Sequence, residues 1–273
     1  DEGFTFDYIA VDNKGILDLA DLKKKIKAET VLISVMAVNN EIGTIQPMEE
    51  VGKIAKAKGI YFHTDAVQAV PYLKIDIAKW GVDFLSLSAH KFYGPQGMGL
   101  AYVNKDIKIK PIIVGGGQEN GLRAGTYNMA GIVGMTEALK LSYADRVAYS
   151  KKVKALRDLF LKEIQKKIKN IRVNGDLKNR TPNNLNIMFE GIEGEAILID
   201  LSFSKICVST GSACSAQNLK VSSVITAMGI DPKYMNSNVR FTWGKYNTAK
   251  EIDYVVKKLV KTVERLRKFS PIK

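Results

Sequence analysis

Three strand-like runs, each leading to polar residues, constrain this chain more than any other feature. Residues 31–38 and 82–87 are built mostly from Val, Ile, Leu, Met, Ala and Phe, residues 60–64 read Ile-Tyr-Phe-His-Thr, and helical spacing separates the three. A run that is apolar on both faces reads as a buried parallel strand, so residues 31–38 are expected to be one. Asp18 is placed to cap a helix through Leu19, Leu22 and Ile26, and a second helix follows Pro47 with Val51, Ile54 and Ala55 inward. Residues 100–103 form one more strand. Strands alternating with helices predict an α/β fold with a largely parallel sheet.

In such sheets ligands bind beyond the carboxyl ends of the strands. There the sequence has Asn40 after the first run, Asp65 and Gln68 after the second, and Ser88, His90 and Lys91 after the third. An amide, a carboxylate and a lysine are thus sent toward one rim. A lysine directly after a core strand is either a snorkelling surface residue or a desolvated amine able to form a Schiff base. Residues 115–126, Gly-Gly-Gly-Gln-Glu-Asn-Gly-Leu-Arg-Ala-Gly-Thr, form a glycine-rich loop. It is either a plain turn or, through its backbone donors with Arg123 and Thr126, a phosphate contact.

From 129 to 169 the pattern is helical, with Val153, Leu156, Leu159, Phe160, Ile164 and Ile168 on one stripe. A smaller α+β portion follows: strands at 171–173, 184–189, 206–209 and 239–243, helices at 195–201 and around 224–228. The closing helix opens on a capping box, Thr248 with Glu251, and carries an apolar stripe from Ile252 to Leu266. Within 206–209, Cys207 reads as a small packed hydrophobe. Cys214 stands among small residues in Ser209-Thr-Gly-Ser-Ala-Cys214, and is either incidental or a reactive thiol. Arg240 follows an apolar approach and suits two parallel hydrogen bonds to a carboxylate.

Composition narrows the remaining classes. The longest apolar run, 31–38, is too short to span a bilayer. With two cysteines in 273 residues the chain is no disulfide scaffold, and it reads as cytoplasmic with reduced thiols. The net charge is +13, but the lysines are dispersed along helical faces and no nucleic-acid motif accompanies them. No direct nucleic-acid or membrane partner is expected.

Taken together, Val38-Asn-Asn-Glu-Ile-Gly43, His63-Thr-Asp-Ala-Val-Gln68, Ser88-Ala-His-Lys91, residues 115–126, Ser212-Ala-Cys214 and Val239-Arg-Phe-Thr242 resemble the cysteine desulfurases. These are pyridoxal 5'-phosphate (PLP) enzymes of class V and fold type I. The long Thr-Gly-Ser-Ala-Cys loop is similar to that of the housekeeping and nitrogen-fixation branch.

The resemblance implies a large domain with a mostly parallel sheet and helices on both faces over residues 1–130. It also implies a small α+β domain over 131–273 carrying the cysteine loop. It implies Lys91 as the residue that holds PLP and moves the substrate α-proton. Asp65 would lie on the pyridine nitrogen, Gln68 on the ring oxygen, and Ser88 and His90 on the phosphate. Thr126 would reach the phosphate of a neighbouring subunit in a homodimer. Asn40 and Arg240 would grip the carboxylate of L-cysteine, with Asn40 also facing the cofactor. Cys214 would take the sulfur as a persulfide and pass it to an iron–sulfur scaffold protein or a tRNA-thiolation protein. His63 is expected to pack beside Asp65 or orient it.

One departure stands out. The family's opening segment supplies a Gly/Thr phosphate turn and a histidine that stacks on the cofactor, and neither precedes Asn40. A separate N-terminal polypeptide, or a front segment outside these residues, is therefore expected to complete the fold. Two other classes share these motifs in part: another class V enzyme, such as a selenocysteine lyase or an aminotransferase, and a non-catalytic subunit of a split desulfurase.

Overall fold

A computed structural model describes residues 3–211 and 221–270. The chain packs as two compact units, Lys27–Ala37 with Met48–Arg146, and Asp1–Ile26 with Val38–Pro47 and Val147–Lys273. Each unit gathers separate stretches of the chain. The 39-residue helix α4, Met129–Lys167, runs from one unit into the other.

The first unit holds a four-stranded sheet, β1 (Leu32–Met36), β2 (Tyr61–Asp65), β3 (Phe84–Ser88) and β4 (Gly99–Val103), in that order. The first three strands are parallel, and β4 is antiparallel to β3. Ile33, Phe62 and Leu85 are buried on one face. Helix α2, Met48–Lys58, buries Met48, Val51 and Ala55, which recur at helical spacing. Gly52, also on α2, lets the helix approach the end of the short helix α3, Ile77–Trp80. A Cβ at residue 52 would lie 1.8 Å from the Trp80 carbonyl oxygen.

The strand expected over 31–38 is shorter than its apolar run and is not covered on both faces. Among the described strands β1 pairs with β2 alone, and Leu32 and Ser34 are exposed while Ile33 is buried. Period-two alternation places Ser34, which breaks the apolar run, on the face opposite Ile33.

The second unit holds an antiparallel sheet ordered β5 (Ile171–Asn174), β6 (Asn184–Phe189), β7 (Asn238–Thr242). Central β6 is buried along its whole length. Helices α5 (Gly194–Phe203) and α7 (Ala249–Phe269) pack together, and α5 packs on β7. The capping box is formed as expected, with Thr248 and Glu251 each bonded to the other's backbone N–H. Ile252, Val256, Leu259 and Val263 make the buried stripe of α7. Helix α1, Leu19–Lys25, starts at Asp18, whose carboxylate accepts from the N–H groups of Ala20 and Asp21.

No strand forms over 206–209. Lys205 turns the chain with φ +58°, and only Ser209 reaches β7, as an isolated bridge to Arg240. Cys207 is exposed rather than packed, because Ile206 takes the buried position. Among the described residues no helix is long and apolar enough to cross a membrane.

Candidate active site

The parallel sheet presents its polar residues by simple alternation. Phe62 and Thr64 point to the buried side of β2, so His63 and Asp65 share the other face, with Ser34 of β1 and Ser86 of β3. Ser34 Oγ lies 2.8 Å from His63 Nδ1, and Ser86 Oγ lies 3.5 Å from Nε2. Burial pushes the His63 pKa below its ordinary value, and the nearby Asp65 carboxylate opposes that shift. His63 therefore sits between two serines, two strand residues before Asp65 on the same face.

Asp65 ends β2. Its Oδ1 accepts from the Val67 N–H at 2.9 Å, a turn that fixes the half-buried carboxylate at the strand tip. Gln68 follows within that turn and is also half-buried.

After β3 the chain makes one 3-10 turn, Ala89–Phe92. Residues three apart eclipse in such a turn. Ala89 and Phe92 are buried against Val70 and Met135, which leaves His90 and Lys91 outward. Ser88 Oγ lies 3.0 Å from His90 Nδ1. Lys91 is exposed. Its outward position follows from the turn, which spends its buried positions on Ala89 and Phe92.

The glycine-rich loop folds on itself. Gly125 N–H donates to Gln118 Oε1, Glu119 N–H donates to the Tyr127 hydroxyl, and Arg123 Nη1 donates to the Ala124 carbonyl at 2.6 Å. Thr126 is exposed at its end.

The second unit brings Asn40 and Arg240 together. Asn39 Oδ1 accepts from the N–H groups of Glu41 and Ile42, closing a tight turn. Arg240, on β7, donates through Nη1 to the Asn40 carbonyl at 2.8 Å. Both are half-buried. Cys214 lies outside the described residues.

Two features escape a reading of motifs alone. Glu41, inside the Asn-Asn-Glu turn, is only 7% exposed, and Ser222 Oγ donates to its Oε2 at 2.6 Å. Arg180 is buried too, and donates to the backbone carbonyls of Asp176, Asn184 and Asn174. Glu41 follows Asn39 and Asn40 in the sequence, so no local pattern marks it as buried.

Residues 1–255 match the family described as aminotransferase class-V. The chain is 46% identical over 271 residues to the protein named cysteine desulfurase IscS from Dictyoglomus turgidum, covering 99% of this chain and 69% of that one. Among solved structures, a NifS-like protein aligns with TM-score 0.89 and 37% identity, over 97% of this chain and 70% of the other. A structure titled SspA in complex with cysteine aligns with TM-score 0.76 and 33% identity, over 90% and 68%. Family, relatives and solved structures agree over nearly the full length, and this chain belongs to the aminotransferase class-V family.

Proposed function

We propose that this chain is a PLP-dependent cysteine desulfurase, which removes sulfur from L-cysteine to give L-alanine and a persulfide on Cys214. The observation that carries the reading is the set of donors at the ends of β2 and β3. Asp65 offers a carboxylate held at the strand tip, Ser88 and His90 offer a hydroxyl and an imidazole 3.0 Å apart, and Lys91 offers an outward amine. This set suits PLP: an acid for the ring nitrogen, polar donors for the phosphate, and an amine for the aldehyde. The relatives named cysteine desulfurase, and the related structure titled as a complex with cysteine, favour L-cysteine as the substrate.

PLP, when bound, supplies an electron sink that eases cleavage of the substrate's carbon–sulfur bond. Lys91 would hold the cofactor and move the substrate α-proton. Asp65 would keep the ring nitrogen protonated, Gln68 would bond the ring oxygen, and Asn40 and Arg240 would orient the substrate carboxylate. Cys214, as thiolate, attacks the sulfur of L-cysteine. A sulfur–sulfur bond forms and the carbon–sulfur bond breaks. The electron pair stays on the carbon, which takes a proton and becomes alanine, while Cys214 is oxidised to the persulfide. Residues 1–130 then serve mainly the cofactor, and 131–273 the cysteine loop. We infer a homodimer in the cytoplasm, with Thr126 reaching the partner subunit's phosphate, and a sulfur acceptor such as an iron–sulfur scaffold protein.

The test is incubation with PLP, L-cysteine and a thiol reductant that releases the persulfide sulfur as sulfide, scoring alanine and sulfide. It is run on the chain alone and with a polypeptide supplying the part of the relatives' length that this chain does not span. Equal alanine and sulfide, lost in Cys214→Ser and in Lys91→Ala, are expected. Product formation that survives Cys214→Ser would favour a class V enzyme of another kind, and no product in either arm would overturn the reading.

A further inference from the structure

Alternation along the strands gives the β5–β6–β7 sheet two unlike faces. Leu185, Ile187 and Phe189 of β6 lie on one with Val239 and Phe241 of β7, all buried and apolar. The other face carries Asn174 of β5, Asn184 and Asn186 of β6, and Asn238 and Arg240 of β7. None of these asparagines is more than 4% exposed. A buried amide is costly unless hydrogen-bonded, so this face needs partners for its own side chains.

The amides meet as a ladder across the three strands. Asn174 Nδ2 donates to Asn186 Oδ1 at 2.8 Å and to Asn238 Oδ1 at 2.6 Å. Asn238 Nδ2 donates in turn to the backbone carbonyls of Tyr234 and Met235, at 3.1 and 2.8 Å. At the other end the ladder leaves the sheet. Asn186 Nδ2 donates to the Glu41 carbonyl at 3.4 Å, and Asn184 Nδ2 donates to the same oxygen at 3.3 Å. The preceding carbonyl, that of Asn40, accepts from Arg240, which is the register partner of Asn186 on β7. Successive carbonyls of the turn, at residues 40 and 41, are therefore both held from one row of the sheet.

This face could have been filled with less loss of stability. Asn174 Oδ1 and Asn184 Oδ1 are buried with no hydrogen-bond partner among the described residues. Met188, on the same face, packs instead in an apolar cluster with Ile42. Apolar side chains of similar volume at the ladder positions would leave no amide oxygen unbonded. What they would lack is direction, and a buried amide network rigidifies the groups it joins.

We propose that Asn186 is a positioning residue for the substrate carboxylate: its amide, aligned by Asn174, sets the turn that bears Asn40 and keeps that turn in line with Arg240. The proposal rests on the desulfurase reading for the identity of the ligand. The hold on the turn is a claim about Asn174, Asn186 and residues 39–42 alone.

The test compares the full chain with Asn186→Leu, Asn174→Val and Ile187→Val. Leucine nearly keeps the volume of asparagine and removes both its donor and its acceptor. Asn174→Val removes the aligning amide while leaving every direct bond to the turn in place. Ile187→Val, on the opposite face of the same strand, loosens the core without touching the ladder. The first readout is amide hydrogen exchange without substrate, followed by mass spectrometry on peptides covering 38–45 and 249–269. Asn186→Leu is expected to speed exchange about tenfold in the first peptide and less than about twofold in the second, and Asn174→Val about threefold in the first. Ile187→Val should leave the ratio between the two peptides unchanged. The second readout is steady-state turnover of L-cysteine by the PLP-loaded enzyme, where Asn186→Leu should raise KM about tenfold with kcat changed by less than about threefold.

A merely structural role would speed exchange equally in both peptides, or lower the melting temperature while leaving the exchange ratio and KM at their wild-type values. Either result would overturn the proposal, as would an unchanged KM beside a loosened turn. If Asn186→Leu does not fold, Asn174→Val decides by the same two readouts. If the wild-type protein forms no alanine, the functional reading falls, and the exchange ratio still decides whether Asn186 holds the turn.

Discussion

Arg240 donates through Nη1 to the carbonyl oxygen of Asn40 at 2.8 Å, joining strand β7 to a turn two hundred residues earlier in the chain. This bond orients the guanidinium by one of its edges, and the fork geometry of arginine suits a carboxylate better than a point charge does. Arg240→Lys should raise KM for L-cysteine by about 10- to 100-fold, with a smaller change in kcat. Steady-state kinetics on the PLP-loaded enzyme would check this. An unchanged KM would remove Arg240 from the substrate site.

His63 should titrate below its ordinary value, because burial disfavours its charged form more than Asp65 favours it. The folded state then binds fewer protons than the unfolded state across the interval between the lowered and the ordinary pKa. The contribution to stability is complete above the ordinary value of about 6.5 and is lost as pH falls through the folded value. NMR titration of the His63 ring, with His63→Gln to assign it, gives the midpoint. A midpoint above 6.5 would contradict the packing between Ser34 and Ser86.

Arg180 holds together the connection between β5 and β6. Burial lowers its pKa to about 10, Arg157 adds to the shift, and Asp176 opposes it. Burial would raise Asp176, but the N–H groups of Lys178 and Asn179, with Lys14, outweigh it and hold its pKa low. Removing the guanidinium leaves the carbonyls of Asn174, Asp176 and Asn184 without that donor. At roughly 1 kcal/mol or more for each buried group, Arg180→Met should cost about 3 kcal/mol or more in urea unfolding. A loss below about 0.5 kcal/mol would place it among ordinary surface changes.

Gly52 is a packing glycine on α2, not a flexible one. The Trp80 carbonyl would lie 1.8 Å from an added Cβ, so α2 and the end of α3 must move apart to admit a methyl group. Gly52→Ala should therefore destabilise by about 1–3 kcal/mol despite alanine's better helix propensity. Thermal unfolding followed by circular dichroism measures it, and a rise in melting temperature would refute the close approach.

The order of strands and helices in the first half follows from the chain alone, because apolar periodicity is local and strands end where it ends. The cap at Asp18 and the capping box at Thr248 were equally legible, since each depends on residues within one turn of helix. Asp65, Ser88, His90 and Lys91 could be placed at or just past strand ends for the same reason. Other outcomes were set between elements distant in sequence. Among the described strands β1 pairs with β2 alone, which no run of residues announces. Cys207 is exposed because Ile206 claims the buried position after Lys205 turns the chain. Glu41 becomes the partner of Ser222 across 181 residues, and no local pattern encodes a bond of that span. Local spacing decides which way a side chain faces along its own element. What it meets there is decided by packing, because burial energy depends on neighbours that only the folded chain brings near.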